Sequence, residues 1–242
     1  MNVSVAMATY NGEKFLKEQI DSILCQLEAQ DELIVSDDGS SDATLEILKE
    51  YRKDKRVQVF VNPSKGVVSN FENALKQCQN DLIFLSDQDD IWLPEKVHAV
   101  KECLEHSGKL LVLHNGINFY EDTGASGDLL IKRMRHGVAV NILKSCYWGC
   151  CMAFKRELLH WMLPFPPQVP AHDQWIGLVA EKIKETLFLD QPFLLHRRHG
   201  ANVSKSLPIF KKIKFRYDIA ASFLSKGISE KVSSKKSFDL VK

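Results

Sequence analysis

Three carboxylates crowd into four positions of "FLSDQDDIWLPEKV", the stretch from Phe84 to Val97: Asp87, Asp89 and Asp90. Like charges this close repel one another, and an apolar run that ends in them has no structural need of the charge. On an extended segment the side chains of Asp87 and Asp89 point the same way. There they can chelate a hard divalent cation, Mg²⁺ or Mn²⁺, which favours oxygen ligands and keeps positions open for phosphate. The competing reading is a solvated acidic turn ahead of the helix that Pro94 opens, with Asp90 the best placed of the three to cap it. A second polar stretch, "SDDGSSD", sets Asp37 and Asp38 before a Gly39–Ser40 turn. A carboxylate there can accept an N–H from a pyrimidine base or a ribose hydroxyl. A third, "TYNGE", offers the ring of Tyr10 and the polar side chains of Thr9, Asn11 and Glu13. Glycine-rich phosphate loops of the G-x-G-x-x-G or Walker type are absent, so a nucleotide bound here needs a metal to hold its phosphates.

All three polar stretches close apolar, β-rich runs. "VSVAMA" (Val3–Ala8), "ELIVS", "VQVFV" (Val57–Val61) and "DLIFLS" read as strands. Between them Phe15, Leu16, Ile20, Ile23, Leu24 and Leu27, then Leu45, Ile47 and Leu48, then Phe71, Ala74, Leu75 and Cys78 recur at helical spacing. Ser41 or Asp42 is placed to cap the second helix. Strands alternating with helices predict βαβ units and a parallel sheet, whose ligands sit beyond the carboxyl ends of the strands. From Leu110 the pattern loosens. "LLVLHNGINFY" reads as one or two strands, "EDTGASGD" as a surface loop and "CYWGCCMAF" as a strand leading to a helix near Arg156–Met162. "PFPPQVP" is a bend, "HDQWIGLVAEKI" a helix, and "TLFLD" and "PFLLHRRHG" two late strands.

The chain of 242 residues is 45% apolar and 26% charged, the profile of a globular α/β protein with a full core. Its net charge of +1 hides an uneven distribution. From Lys205 onward ten Lys/Arg face three Asp/Glu, so an acidic body carries a basic tail. In that tail Ile209, Ile213, Tyr217, Ala220 and Leu224 recur at helical spacing among Lys211, Lys212, Lys214, Arg216 and Lys226. Such a helix reads either as a membrane-surface element or as a helix packed on the domain with a solvated basic face; nucleic-acid binding is the weaker reading. "EKVSSKKSFDLVK" reads as a frayed end. The start has no basic region ahead of a long apolar segment, and no stretch is long and apolar enough to span a bilayer, which together predict a cytoplasmic protein. The six cysteines are then expected to be reduced, and "CYWGCC" lacks the paired spacing of a zinc site.

Four stretches taken together, "SVAMATYNGEKFLKEQIDSIL", "DELIVSDDGSSDATLEIL", "GVVSNFENAL" and "LIFLSDQDDIWLPEKV", resemble the nucleotide-binding half of family 2 glycosyltransferases of the GT-A fold. The resemblance is close from Val3 to Val97, thinner to about His199, and strongest to the bacterial rhamnosyltransferase-type branch. It implies a GT-A domain over residues 1–204, with a nucleotide-sugar half (1–97) and an acceptor half (98–204), followed by the basic tail (205–242). It further implies that Asp38 meets a uracil or thymine ring, that Thr9 and Tyr10 form the first base-contacting loop with Asn11 and Glu13, and that Asp87 lies near the ribose. Gln88 and Asn70 join this nucleotide side. Asp89 is implied as the metal ligand bridging to the diphosphate, with His199 of "HRRHG" completing the metal shell in preference to His196. Asp173 of "AHDQW" is implied as catalytic base, where relatives carry Glu-Asp and this chain has His172–Asp173.

The chemistry stands beside the resemblance. Glycosyl transfer needs the leaving diphosphate neutralised, which a divalent ion does, and the acceptor hydroxyl deprotonated, which a carboxylate does. One D-x-D and one remote acid at a helix start meet both needs; N-capping is the bland role for Asp173. Trp92, Trp148 and Trp175 are flat surfaces that either stack on sugars or fill the core, and with Asp90, Gly149 and His172 they make up the expected sugar and acceptor side. The expected activity is inverting, Mn²⁺- or Mg²⁺-dependent transfer from a UDP- or dTDP-sugar to a glycan or lipid-linked acceptor in bacterial surface polysaccharide synthesis, at the inner face of the membrane. A nucleotidyltransferase and an inactive sugar-nucleotide-binding module are the alternatives.

Overall fold

The computed structural model describes residues 1–121, 126–199 and 208–228. Strands β1 (Val3–Thr9), β2 (Glu32–Asp37), β3 (Val57–Val61) and β4 (Leu82–Ser86) run parallel in the order β3-β2-β1-β4. Helices α1 (Leu16–Leu24), α2 (Thr44–Tyr51) and α3 (Val67–Gln77) make the crossovers between them. Val5, Ala6 and Met7, Leu33, Ile34 and Val35, and Ile83, Phe84 and Leu85 are buried without break, as strands covered on both faces must be. The chain adds β2 and β3 on one side of β1 and β4 on the other. The strand order therefore reverses between β1 and β4, and a crevice opens beyond Thr9 and Ser86, the place where open α/β sheets hold ligands.

The second half extends the same sheet. It contains β5 (Ile91–Trp92), α4 (Lys96–Ser107), β6 (Leu111–Tyr120), β7 (Ser126–Leu129), α5 (Val138–Leu143), β8 (Met152–Lys155), α6 (Leu159–Met162), α7 (His172–Lys182), β9 (Thr186–Arg198) and α8 (Ile209–Lys226). Beyond β4 the order is β8-β6-β9-β5, with β8 antiparallel to both neighbours and β9 parallel to β6. The short β5 pairs antiparallel with β9, Ile91 opposite Leu195 and Trp92 opposite Leu194. That pairing delivers the "HRRH" end of β9 to the "SDQDD" segment that precedes β5.

Several elements depart from the sequence reading. The two late strands are one, β9, which absorbs Pro192 at a shift of register against β6 around Asn115, the kind of irregularity at which a sheet tolerates proline. Part of the expected surface loop is strand β7; the rest lies outside the described residues. Asp90 does not cap the following helix: α4 starts only at Lys96, behind Glu95 in a left-handed conformation (φ 67°), and no side chain caps it. Asp42, by contrast, accepts the Thr44 N–H at 3.0 Å as α2 begins. All six cysteines are free thiols.

The tail helix α8 packs on the domain through one side and turns its apolar stripe outward. Its domain-facing side carries Ile219 and Ser222, both buried, and Phe223 sets its ring 6.4 Å from Trp175 of α7. Lys226 bonds the carbonyls of Leu163 and Pro164. Ile209, Phe210, Ile213, Tyr217 and Leu224 are 57–82% exposed. The apolar stripe read from the sequence thus faces solvent, and the side carrying Ile219, Ser222 and Phe223 does the packing. The frayed end lies outside the described residues, among which no helix is long and apolar enough to cross a membrane.

Candidate active site

The rim of the crevice is a set of stapled loops. Asp37, buried at the end of β2, accepts hydrogen bonds from Gly39 N (3.0 Å), Ser40 N (2.8 Å), Ser40 Oγ (2.6 Å) and Thr9 Oγ1 (2.9 Å). The Thr9 hydroxyl therefore points into the fold. Asn11, in a left-handed conformation, accepts the Ser41 N–H at 2.8 Å, and Glu13 accepts the Ala43 N–H at 2.8 Å. The side chains of Asn11 and Glu13 thus join loop to loop. Asp38 draws in the next loop, accepting from Asn62 Nδ2 at 2.8 Å and Gly66 N at 2.9 Å. Buried Asn70 donates to the Thr9 carbonyl at 3.1 Å and leaves its Oδ1 unpartnered. Gln88 grips the Tyr10 backbone twice, accepting from N at 2.8 Å and donating to O at 3.0 Å. Gly12 leaves room for it: a Cβ there would lie 2.3 Å from Gln88 Oε1 and push the amide off the Tyr10 backbone. The Tyr10 ring stays 54% exposed, an open flat surface at the rim.

The acids divide by direction. Asp89 turns outward and its Oδ2 meets His199 Nε2 at 2.8 Å; Asp90 is fully buried and accepts from His196 Nδ1 at 2.9 Å and Arg197 N at 3.1 Å. Asp90 is thus removed from any sugar, and the expectation that it faces the acceptor is corrected: its carboxylate is a strut under Asp89. Arg197 went unnoticed in the sequence reading. Its buried guanidinium donates from Nε to the Asp89 carbonyl at 2.9 Å and pairs with Glu121 at 2.5 Å and with Glu18. Three consecutive basic residues in a strand were the available signal.

Electrostatics at this point favour a cation. Burial, then Asp90 and Asp89, raise the Asp87 carboxyl well above the usual range. Burial and Asp90 raise Asp89, with His199 opposing. Burial works against a charge on His196, yet Asp90 and the neighbouring Cys150 hold its pKa up to about 11. Carboxylates kept from ionising by one another are the chemistry that a divalent ion relieves. Asp89 and His199 supply one oxygen and one nitrogen at the crevice, a donor set that suits Mn²⁺ or Mg²⁺ with phosphate oxygens and water completing the shell. Asp90, Cys150 and His196 also come within 4.8 Å of one another. That cluster is buried and burial with the Cys151 contact keeps the Cys150 thiol protonated, so it fits a structural role better than a phosphate-bridging one.

Asp173 reaches the same crevice from the other half. It lies inside the first turn of α7, behind Ala171 at the cap position, and its Oδ1 accepts the Gln174 N–H at 2.6 Å. Its charge is among the influences that raise Asp87, after burial, Asp90 and Asp89. His172 stacks on Phe71 with centroids 3.9 Å apart, and burial depresses its pKa. Gly149 backs onto this pair: a Cβ would sit 2.9 Å from His172 Nε2 and 3.4 Å from Asp173 Cβ. Of the tryptophans, Trp175 is fully buried with its N–H on the Met162 carbonyl, and Trp92 is 3% exposed against Phe84. Both belong to the core rather than to a sugar platform. Trp148 is half-buried, its ring edge-on to His196 at 5.4 Å. Fully buried Lys96, another residue the sequence reading passed over, donates to the Cys150 carbonyl at 3.0 Å from above the Trp92 ring.

Known proteins are similar in sequence and fold. The family model "Glycosyl transferase family 2" matches residues 4–161. The dTDP-rhamnosyl transferase RfbG of Shigella flexneri is 28% identical over 82% of this chain and 75% of its own. The UDP-Glc:alpha-D-GlcNAc-diphosphoundecaprenol beta-1,3-glucosyltransferase WfgD of Escherichia coli is 26% identical over 94% and 88%. Among solved structures, S. aureus TarS 1-349 in complex with UDP-GlcNAc superposes with a TM-score of 0.73 at 18% identity, covering 95% of this chain and 68% of that one. Glucosyl-3-phosphoglycerate synthase from Mycobacterium tuberculosis, solved with Mn²⁺ and UDP, gives 0.60 at 22% identity over 94% and 81%. The mainly parallel first half and its mixed extension are thus a GT-A fold, and the chain belongs to glycosyl transferase family 2.

Proposed function

We propose that this glycosyltransferase moves a sugar, with inversion, from a UDP- or dTDP-sugar to a hydroxyl of a glycan or lipid-linked acceptor in bacterial surface polysaccharide synthesis. The observation that carries the reading is the Asp89–His199 pair at 2.8 Å, with an acid, Asp173, at the start of α7 near enough for its charge to act on Asp87. The names of RfbG and WfgD, a dTDP-rhamnosyl and a UDP-glucosyl transferase, support the two donor bases and the lipid-linked acceptor. Asp89 and His199 would hold Mn²⁺ or Mg²⁺, which supplies Lewis-acid neutralisation of the departing diphosphate. Tyr10 offers its exposed ring to the base, and Asp38 the acceptor atoms for its N–H. Asp173 takes the proton of the acceptor hydroxyl. The freed oxygen bonds to the anomeric carbon as the bond from that carbon to the diphosphate breaks, and one displacement inverts the centre.

The setting we infer is the cytoplasmic face of the membrane. α8 turns an apolar stripe outward between lysines and an arginine, the pattern of a helix that rests in an anionic lipid surface. The founding test is a screen of nucleotide sugars with Mn²⁺, reading release of UDP or dTDP. At least one donor should be hydrolysed, and Asp89→Ala should abolish both hydrolysis and metal-dependent nucleotide binding. Release from no donor would reduce the protein to a binding module, and unchanged affinity in Asp89→Ala would remove the metal assignment.

A further inference from the structure

A second cationic site lies on the acceptor half, outside the acid cluster. Lys132, Arg133 and Arg135 line a cleft of about 310 Å³ with Ser145, Cys146 and Trp148. Among the described residues no carboxylate lines it. Lys132 is paired with Asp128 at 2.8 Å, whereas neither Arg133 nor Arg135 has a guanidinium ion pair among the described residues.

The backbone under these cations is built, not incidental. Buried Asn115 clamps Ile131 from both sides, donating to its carbonyl and accepting its N–H, each at 3.0 Å. Buried Asn141 holds the other end, donating to the Arg135 carbonyl at 2.9 Å. Gln174, the neighbour of Asp173, donates to the Asn141 carbonyl at 2.7 Å. The cationic segment and the start of α7 therefore share one support. Trp148 lines the cleft and its ring lies 5.4 Å from that of His196, the partner of Asp90, so the cleft neighbours the acid cluster.

We propose that this cleft receives a phosphate or diphosphate group carried by the acceptor; this rests on the glycosyl-transfer reading above. Two guanidinium groups without carboxylate partners on a pinned backbone match the fork geometry of phosphate recognition. The volume lies at the small end for ligand sites, enough for a phosphate and too little for a glycan. The donor's own diphosphate is drawn to Asp89, on the other side of Trp148, so an anion in the cleft belongs to the second substrate. Trp148 then lies between the two, where a sugar face can stack on it.

The test uses the full chain, inorganic pyrophosphate as probe, and EDTA to remove divalent ions. Calorimetry should show pyrophosphate binding without metal, weakened at least tenfold in Arg133→Gln/Arg135→Gln, the scale of one charge-assisted hydrogen bond. The same variant should keep its KM for nucleotide sugar in donor hydrolysis, and its affinity for phosphatidylglycerol vesicles. In transfer assays its KM should rise at least tenfold for a sugar phosphate acceptor and stay level for the phosphate-free sugar. No metal-free binding, or binding unchanged in the variant, overturns the site. A raised donor KM gives the cations to the donor, and lost vesicle binding gives them to lipid headgroups; either overturns the acceptor assignment. Failure of donor hydrolysis in the intact protein with pyrophosphate binding retained refutes the transferase reading instead.

Discussion

Burying Lys96 carries a cost that can be measured. It is fully buried, with one hydrogen bond to the Cys150 carbonyl and its ammonium 3.9 Å from the centre of the Trp92 ring. Burial outweighs the nearby Cys151, Cys150, Asp90 and Asp87 and lowers its pKa from 10.5 to about 8. A displacement of that size corresponds to about 3 kcal/mol. Because the folded value lies below the unfolded one, the unfolded chain binds the extra proton between pH 8 and 10.5. The lysine's contribution to stability therefore rises with pH across that window and is at its worst below it. Lys96→Met keeps most of the stem and removes the charge. Near pH 7 it is relieved of the burial cost but loses a hydrogen bond worth about 1–3 kcal/mol and a cation–π contact worth about 1–2 kcal/mol, so the two proteins should be nearly level. By pH 10.5 the variant should trail by about 3 kcal/mol. Urea unfolding of both proteins at half-unit steps from pH 7 to 10.5 gives the difference curve. Asp87, Asp90, Cys150, Cys151 and His114, the groups that face the ammonium, are present in both and largely cancel. A flat difference would refute the claim that a charge is held in the core.

Further outcomes follow from the site. Asp173→Asn should bind donor normally while transfer falls by about 10²–10⁴-fold, the scale of a general base; a normal transfer rate would move the base elsewhere, to His172 first. Gly149→Ala should press on a His172 ring already held against Phe71 at 3.9 Å. We expect about 1–3 kcal/mol of destabilisation from overpacking and up to about 10²-fold slower transfer from a displaced Asp173, with nucleotide affinity unchanged; full activity would show that the helix start gives way freely. Phe210→Ser/Leu224→Ser, two exposed positions of α8, should leave the melting temperature unchanged and weaken sedimentation with anionic vesicles at low salt. If the intact protein ignores such vesicles, the stripe has another purpose.

The first half of the fold is legible because each strand and helix there is a local pattern: the runs ending at Thr9, Asp37, Val61 and Ser86 are continuous apolar strands, and the helices between them keep a 3.6-residue period. The second half depends on pairings that no window contains. β8 lies between β4 and β6 although β6 precedes it in the chain, and Pro192 splits one strand into two apparent ones. In α8 the spacing identified a helix and an apolar stripe but not which side meets the protein, because Ile219 and Ser222 pack where bulk alone would not have put them. Site residues follow the same division. Asp89 and His199 meet, whereas Thr9, Asn11 and Glu13 hold loops together. The same side-chain types serve turns and ligands, and only partners in space tell them apart.

Asp89 and Asp90 are neighbours in the chain with opposite destinations, one at the crevice and one sealed under it. The two lie in a short bend between strands that are both fixed in the sheet, so a shift of one residue would exchange their destinations. Any insertion or deletion between Ser86, where β4 ends, and Ile91, where β5 begins, would aim a carboxylate at the crevice from the wrong residue and leave His196 and the Arg197 N–H facing whatever came next. Each acid here is chemically ordinary, and an Asp for Glu exchange would be a minor edit. The length of the interval is not negotiable. In descendants of this sequence the spacing from β4 to β5 should therefore outlast the identity of the residues that fill it, as an inherited count rather than an inherited motif.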